Sequence, residues 1–251
     1  MNPFLFAALC AAPLSVGAAA PACSKQSPSH TVALLELYTS EGCSSCPPAD
    51  RFVSGLRAGM SPEQVVPLAL HVDYWDYIGW KDAFARRAFT ERQRWLSELA
   101  GSRTIYTPEI FVGGREERGW RGGLQDTVRR INARPAQASI GIVSGKAAGG
   151  KVPVEVRARS GRAASLFVAL YQNGLQTDVK AGENGGVTLR HDYVVREWLG
   201  PVALPAAGEG ISLVRALSLP AGAALKNLGV AAFVQSDGGE VLQALSLPLC
   251  E

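Results

Sequence analysis

The chain is poor in charge and poorer in histidine. Charged residues make up 19% of its 251 positions, only 3 residues are His, and the formal net charge is +3. There is no basic run and no acidic tail, so a nucleic-acid partner is not expected. A phosphate loop and a dinucleotide fingerprint are both missing, and no organic cofactor is implied. No internal repeat is evident. Asp178, Glu183 and Asp192 lack the spacing of a calcium loop. No charged side chain precedes Lys25. The apolar stretch from Phe4 to Ala12 is broken by Pro13 and falls short of the roughly 20 residues a membrane span needs. With Ala20-Pro21-Ala22 ahead of Cys23 as a small-x-small cleavage site, residues 1–22 read as a signal peptide. The expected product is periplasmic or secreted and has no stable membrane span after cleavage.

Cysteine is scarce as well, with 5 in the whole chain. Removal of the leader takes Cys10 and leaves Cys23, Cys43, Cys46 and Cys250, an even set suited to an oxidising compartment. Cys23 and Cys250 stand at the two ends of the mature chain. They are expected to form a structural disulfide, the alternative being two inert thiols on frayed ends. A single C-x-x-C excludes a closed four-cysteine zinc site unless a partner joins.

The 47% hydrophobic content is ample for a core. Its most telling arrangement begins at Leu34. Leu34 to Tyr38 is a short apolar run bounded by polar turn residues, as in a covered strand. Gly42 is expected to give the following turn its freedom. Pro47 and Pro48 suit a first helical turn. Ala49, Phe52, Val53 and Leu56 then recur at helical spacing. Cys43 falls at or just before a helix N-terminus, where unpaired N–H groups favour a thiolate, with Cys46 within bonding reach. A C-x-x-C at a strand-to-helix junction is a redox motif.

The stretch from Leu34 to Cys46 resembles the active-site strand and turn of the thioredoxin superfamily, including its disulfide isomerase branch. Glu36 and Tyr38 match the acid and aromatic of that strand, with one extra residue in the turn. More closely, Thr39 to Asp50, His71-Val72-Asp73-Tyr74-Trp75-Asp76 and Tyr106-Thr107-Pro108-Glu109 resemble a family of secreted bacterial thioredoxin-like proteins catalogued as a domain of unknown function. The resemblance implies a fold and a compartment but no established substrate. It also implies a cis Pro108 facing the C-x-x-C, with the Thr107 backbone turned toward an extended substrate. Through the same resemblance, Glu36 would move a proton to or from Cys46.

The remaining pattern divides the chain in two. Strand, helix, strand, helix, strand, strand, helix is the expected order to about residue 136. Val65 to Val72 is the second strand, and Asp82 reads as the N-cap of a helix to Leu99. A short strand is expected around Trp120. Because active sites of parallel sheets lie at the carboxyl ends of strands, His71 and Asp73 should be directed toward Cys43. The loop Tyr74 to Trp80 carries four aromatics, and Trp75 is a candidate substrate contact or a cover for the core. From Ala138 helical periodicity gives way to seven short apolar runs separated by Gly- and Asn-rich turns, the pattern of a β-sandwich. His191 reads as a polar strand-end residue. The expected fold class is therefore an α/β thioredoxin-like domain over residues 30–136 and an all-β, sandwich-like domain over 138–251.

Three functions compete. In the first, Cys43 and Cys46 exchange disulfides with protein thiols and a redox partner. Glu41 would be an exposed substitute for Glu36. In the second, Cys43, Cys46 and His71 bind copper or zinc. In the third, the Cys43–Cys46 disulfide is structural and the β domain holds a binding partner.

Overall fold

The computed structural model describes residues 23–206 and 208–250, so the predicted leader and Cys10 lie outside the described residues. The fold is mixed α/β and mostly strand. In chain order it runs β1 (Cys23–Gln26), β2 (Ala33–Thr39), α1 (Pro47–Gly59), β3 (Val65–His71), α2 (Arg87–Leu99), β4 (Glu109–Val112), β5 (Arg115–Glu116) and α3 (Trp120–Asn132). The second half follows as β6 (Ala138–Ser144), β7 (Lys151–Ser160), β8 (Ala164–Gln172), β9 (Leu175–Asp178), β10 (Thr188–His191) and β11 (Val194–Leu204). It closes with β12 (Ile211–Ser218), β13 (Leu228–Gln235) and β14 (Val241–Pro248).

All seven apolar runs expected after Ala138 form strands. The β9–β10 ribbon, exposed at every other position, is added to them. Two local expectations are corrected. Asp82 caps no helix: α2 starts at Arg87 with Arg86 as N-cap, because the Asp82 carboxylate is occupied elsewhere. Trp120 opens α3 rather than lying in a strand, and packs at a tilt against Phe52 of α1 with ring centroids 4.8 Å apart.

One eight-stranded sheet, ordered β14-β13-β8-β11-β3-β2-β4-β5, crosses the position where the sequence texture changes. The joint is the edge of β3. There Val194 of β11 pairs in parallel with Ala69, and the Ala69 N–H donates to the Tyr193 carbonyl at 2.9 Å. A second sheet, β1-β6-β7-β12, shares an apolar core with β8, β13 and β14, including Ile140, Val154, Leu166 and Val230. Cys23 and Cys250 are joined in a disulfide with Cα atoms 5.9 Å apart, tying the two ends of the described chain.

The alternation of a strand's side chains decides where each half of the chemistry goes. Ala33, Leu35 and Leu37 pack under α1 and α3 with Val53, Leu56, Leu124 and Val128. Leu34 and Tyr38 face the other way, against Phe89 and Leu96 of α2 and Phe233 of β13. Full burial of a leucine or valine is worth about 1.5–3 kcal/mol, so this register is strongly held. Glu36 must share the α2 face, whereas Thr39 and His71, of the opposite parity, share the α1 face.

Candidate functional site

The turn from β2 into α1 carries the cysteines. Cys46 is the N-cap of α1 and Pro47 fills its first position, where a missing N–H costs nothing. Backbone bonds from Cys43 N–H to the Ser40 carbonyl and from Cys46 N–H to the Cys43 carbonyl, both 3.2 Å, tighten the turn. Gly42 does not have the positive φ that turn freedom would use. Its smallness serves packing instead, since a Cβ there would lie 3.2 Å from the Trp75 Cβ and 3.3 Å from the Ile78 Cδ1. Cys43 and Cys46 form a disulfide with Cα atoms 5.4 Å apart, and both are fully buried.

Most of the residues singled out from the sequence meet here. The Ser45 hydroxyl lies 3.4 Å from the Cys43 Sγ and donates to the Thr107 carbonyl at 3.5 Å. The Thr107–Pro108 peptide is cis. Trp75 donates its indole N–H to the Thr107 Oγ1 at 2.7 Å, which ties the aromatic loop to the same segment.

Three expected participants are placed otherwise. Glu36 lies on the α2 face, where Arg92 clamps it through Nε at 2.5 Å and Nη2 at 3.0 Å. Tyr38 also donates to it at 3.3 Å. This face is the one away from α1, which carries Cys46 at its N-cap. Asp73 accepts a 2.6 Å bond from Thr90 of α2 and is directed away from the cysteines. Glu41, expected to be exposed, is fully buried.

Glu41 opens a cluster that sequence reasoning missed. Its Oε2 accepts from the Trp80 indole at 2.8 Å, and its Oε1 lies 3.4 Å from the His191 Nε2 without hydrogen-bond geometry. His191 is 2% exposed, and its Nδ1 lies 3.9 Å from the Asp50 Oδ1. Asp50 accepts from the Thr39 hydroxyl at 3.2 Å. Beside them, the His71 Nδ1 is bonded to the Asp82 Oδ2 at 2.6 Å, and that same oxygen accepts the Glu41 N–H at 2.9 Å. The two imidazoles meet edge to face at 5.0 Å. The Glu41 Oε1, the His71 Nε2 and both nitrogens of His191 are buried without a hydrogen-bond partner.

The electrostatics follow from burial and neighbours. Burial pushes the Asp50 carboxyl up, and the nearby histidines only partly offset it. Burial works against a charged His71, but Asp82 beside it prevails and raises its affinity for a proton. Asp82 is likewise penalised by burial, yet His71 and the Glu41 and Phe84 N–H groups hold it below the usual carboxylate range.

The loop between β9 and β10 closes over this arrangement. Asn184 donates its amide to the carbonyls of Glu41 at 2.8 Å and Cys43 at 3.0 Å. Glu183 accepts from the Ser44 hydroxyl at 2.7 Å and the Ser44 N–H at 3.0 Å. The only advance signal for this contact was a Gly-rich, polar loop of the kind that often carries function. The copper or zinc set is not assembled, since the two sulfurs are bonded to each other. Among the described residues no three His, Cys, Asp or Glu are grouped to hold a metal.

Fold and site together define a strand-rich α/β protein with a buried C-x-x-C disulfide beside a histidine–carboxylate cluster. The chain belongs to the family described as protein of unknown function DUF1223, which it matches over residues 34–235. It is similar to the crystal structure of protein AGR_C_4864 from Agrobacterium tumefaciens, with 27% identity, a TM-score of 0.61, and coverage of 87% of this chain and 94% of that one. It shares its fold with HBP35 of Porphyromonas gingivalis, at 17% identity and a TM-score of 0.67, over 88% of this chain and 76% of that one. No curated protein matches it.

Proposed function

We propose that the chain is a secreted or periplasmic, thioredoxin-like thiol–disulfide oxidoreductase acting on protein thiols through Cys43 and Cys46. The observation that carries this reading is the convergence of three parts. The disulfide sits at a strand-to-helix junction, the Thr107–cis-Pro108 segment lies against it through Ser45, and a buried acid, Asp50, stands one helical turn beyond Cys46. Asp50 takes the place that Glu36 was expected to hold. The leader over residues 1–22 and the two disulfides fit an oxidising compartment. No described helix is long and apolar enough to cross a membrane. The strand-rich second half is read as a sandwich-like domain that closes over the site.

Burial of both sulfurs supports a second reading, in which this disulfide is structural and the second half binds a partner. In the redox reading the same burial requires the Glu183–Asn184 loop to move before a substrate thiolate reaches Cys43.

A glutathione redox titration of the mature protein, with differential alkylation read by mass spectrometry, decides between them. The redox reading expects a reversible couple and selective alkylation of Cys43 near neutral pH. A pair that stays oxidised below about −300 mV would be structural, and the redox reading would fall.

A further inference from the structure

We propose that His191 is a positioning residue of the exchange reaction, holding the proton that Asp50 passes to and from the Cys46 sulfur. The inference rests on the redox reading above and extends it to a residue from the second half of the chain.

A buried polar group without a partner needs a reason, because almost all such groups in folded proteins are bonded. His191 has two such atoms on one ring, each within 4 Å of a carboxylate oxygen, at 3.4 Å from Glu41 and 3.9 Å from Asp50. Its surroundings come from several elements. Glu41 lies in the turn after β2, Asp50 on α1, His71 at the end of β3, and Asp82 and Phe84 in the segment before α2. The two histidines differ in one respect. The His71 Nδ1 is committed to Asp82, whereas neither ring nitrogen of His191 makes a hydrogen bond among the described residues, and its Nε2 only approaches the Glu41 Oε1 at 3.4 Å.

Asp50 connects the ring to the sulfur. Its N–H bonds to the Cys46 carbonyl at 3.1 Å. Residues four apart at a helix start lie on one face, with Cβ atoms about 5–6 Å apart. The His191 Nδ1 lies 3.9 Å from one oxygen of that carboxyl, and Thr39 bonds the other.

The step balances with a substrate dithiol as reductant. A substrate thiolate attacks the Cys43 Sγ, the Cys43–Cys46 bond breaks, and its electron pair goes to the Cys46 sulfur. That sulfur takes a proton from the Asp50 carboxyl, which the His191 imidazolium restores. The second substrate thiolate then attacks the substrate sulfur of the mixed disulfide and releases Cys43 as a thiolate, and the two protons that the substrate thiols gave to solvent return to Cys43 and to His191. The substrate ends as a disulfide, and its two thiol hydrogens are matched by those now on Cys43 and Cys46. The reverse direction runs the same proton the other way.

The test uses the full mature chain and dithiothreitol as the probe thiol. The rate of reduction of Cys43–Cys46 is measured across roughly pH 5 to 9, the range in which an imidazole exchanges its proton. His191→Gln is expected to slow reduction near neutral pH by on the order of 100-fold, the usual worth of a positioned acid–base group, and to flatten the pH profile. His30→Gln, at the surface against the Glu63 carbonyl, is expected to leave the rate unchanged. A His191→Gln profile that overlays the wild type overturns the inference.

A wild-type measurement decides the matter if the variant does not fold. With only 3 histidines, imidazole nitrogen resonances can be compared between oxidised and reduced protein. Those of His191 are expected to change protonation or tautomer while those of His30 do not. Unchanged His191 resonances also overturn it. If the wild-type pair does not titrate reversibly with glutathione, the redox reading and this inference fall together. If it does and His191 is silent, only the inference falls.

Discussion

Two buried charged clusters lie on opposite faces of the same strand, and they are built differently. On the α2 face, Glu36 receives two bonds from Arg92 and one from Tyr38. Arg92 gives a further bond to Gln235 at 2.9 Å, and its guanidinium lies 4.8 to 5.8 Å from the ring centroids of Phe167, Phe233, Trp198 and Trp95. On the α1 face, His191, His71 and Glu41 keep four polar atoms without partners. A closed network of charges has a geometry to hold. An open one, beside a disulfide, has capacity left for chemistry. The contrast separates an ionisable cluster that supports the fold from one available to a reaction.

The strongest way to break the contrast is to open the closed cluster. Arg92→Ala leaves Glu36 buried without its cation and is expected to destabilise the protein by about 3–5 kcal/mol, read by denaturant unfolding. A loss below about 1 kcal/mol would mean that Glu36 finds water or another partner.

The next effect comes from Glu109, a carboxyl on the α2 face that forms no ion pair among the described residues. Burial lifts Glu109 to about 7, against which Gln93 and Ser97 bonds act only partly. A raised carboxyl keeps its proton in the folded state when the unfolded chain has lost it. Its stabilising contribution is therefore full below its unfolded value and is lost as pH rises through about 7. Asp50, also raised, acts in the same direction, and the raised His71 extends the fall above 6.5. Stability should thus fall from about pH 4.5 to 7, and Glu109→Gln should remove on the order of 2 kcal/mol of that fall. An unchanged slope in unfolding measured at several pH values would contradict this.

Asp50→Asn sharpens the comparison by its sign. Removing an acid whose charge is penalised by burial should raise stability at neutral pH by about 1 kcal/mol while slowing reduction of Cys43–Cys46. Loss of stability here would make the open cluster structural after all. The smallest change belongs to Glu183→Ala. Its contact with Ser44 is exposed, so stability should move by less than about 1 kcal/mol. Release of the loop should nevertheless make Cys43–Cys46 a few-fold more reducible, because access and not bond strength is altered. A slower reduction would mean that the loop assists rather than covers the site.

Much of this architecture was legible in the residues. The short apolar run of Leu34 to Tyr38, the prolines after Cys46 and the apolar runs after Ala138 each carry a local physical signal, and each became the element it indicated. Glu36 shows the limit of that signal. Its strand was correctly read, but its role came from matching a motif, and the parity of β2 puts it on the face away from α1. Asp82 shows another limit. An Asp followed by an amphipathic stretch looks like a cap, yet His71 and the Glu41 N–H compete for the same carboxylate and win. Glu41 and His191 carry no local sign of burial, since a polar residue in a turn or at a strand end is exposed by default.

The sequence by itself determined the strand–turn–helix that carries Cys43 and Cys46 and which residues of a strand share a face. Both follow from spacing along the chain and from bond geometry. Only the tertiary structure decided that the site is shared between the two halves. Asn184 reaches the Cys43 carbonyl across 141 positions of sequence, and His191 reaches Glu41 and Asp50 through the packing of β10 on α1. No local preference specifies such a meeting. It depends on where β11 adds to the edge of β3, and so on how the two halves of the core fit together.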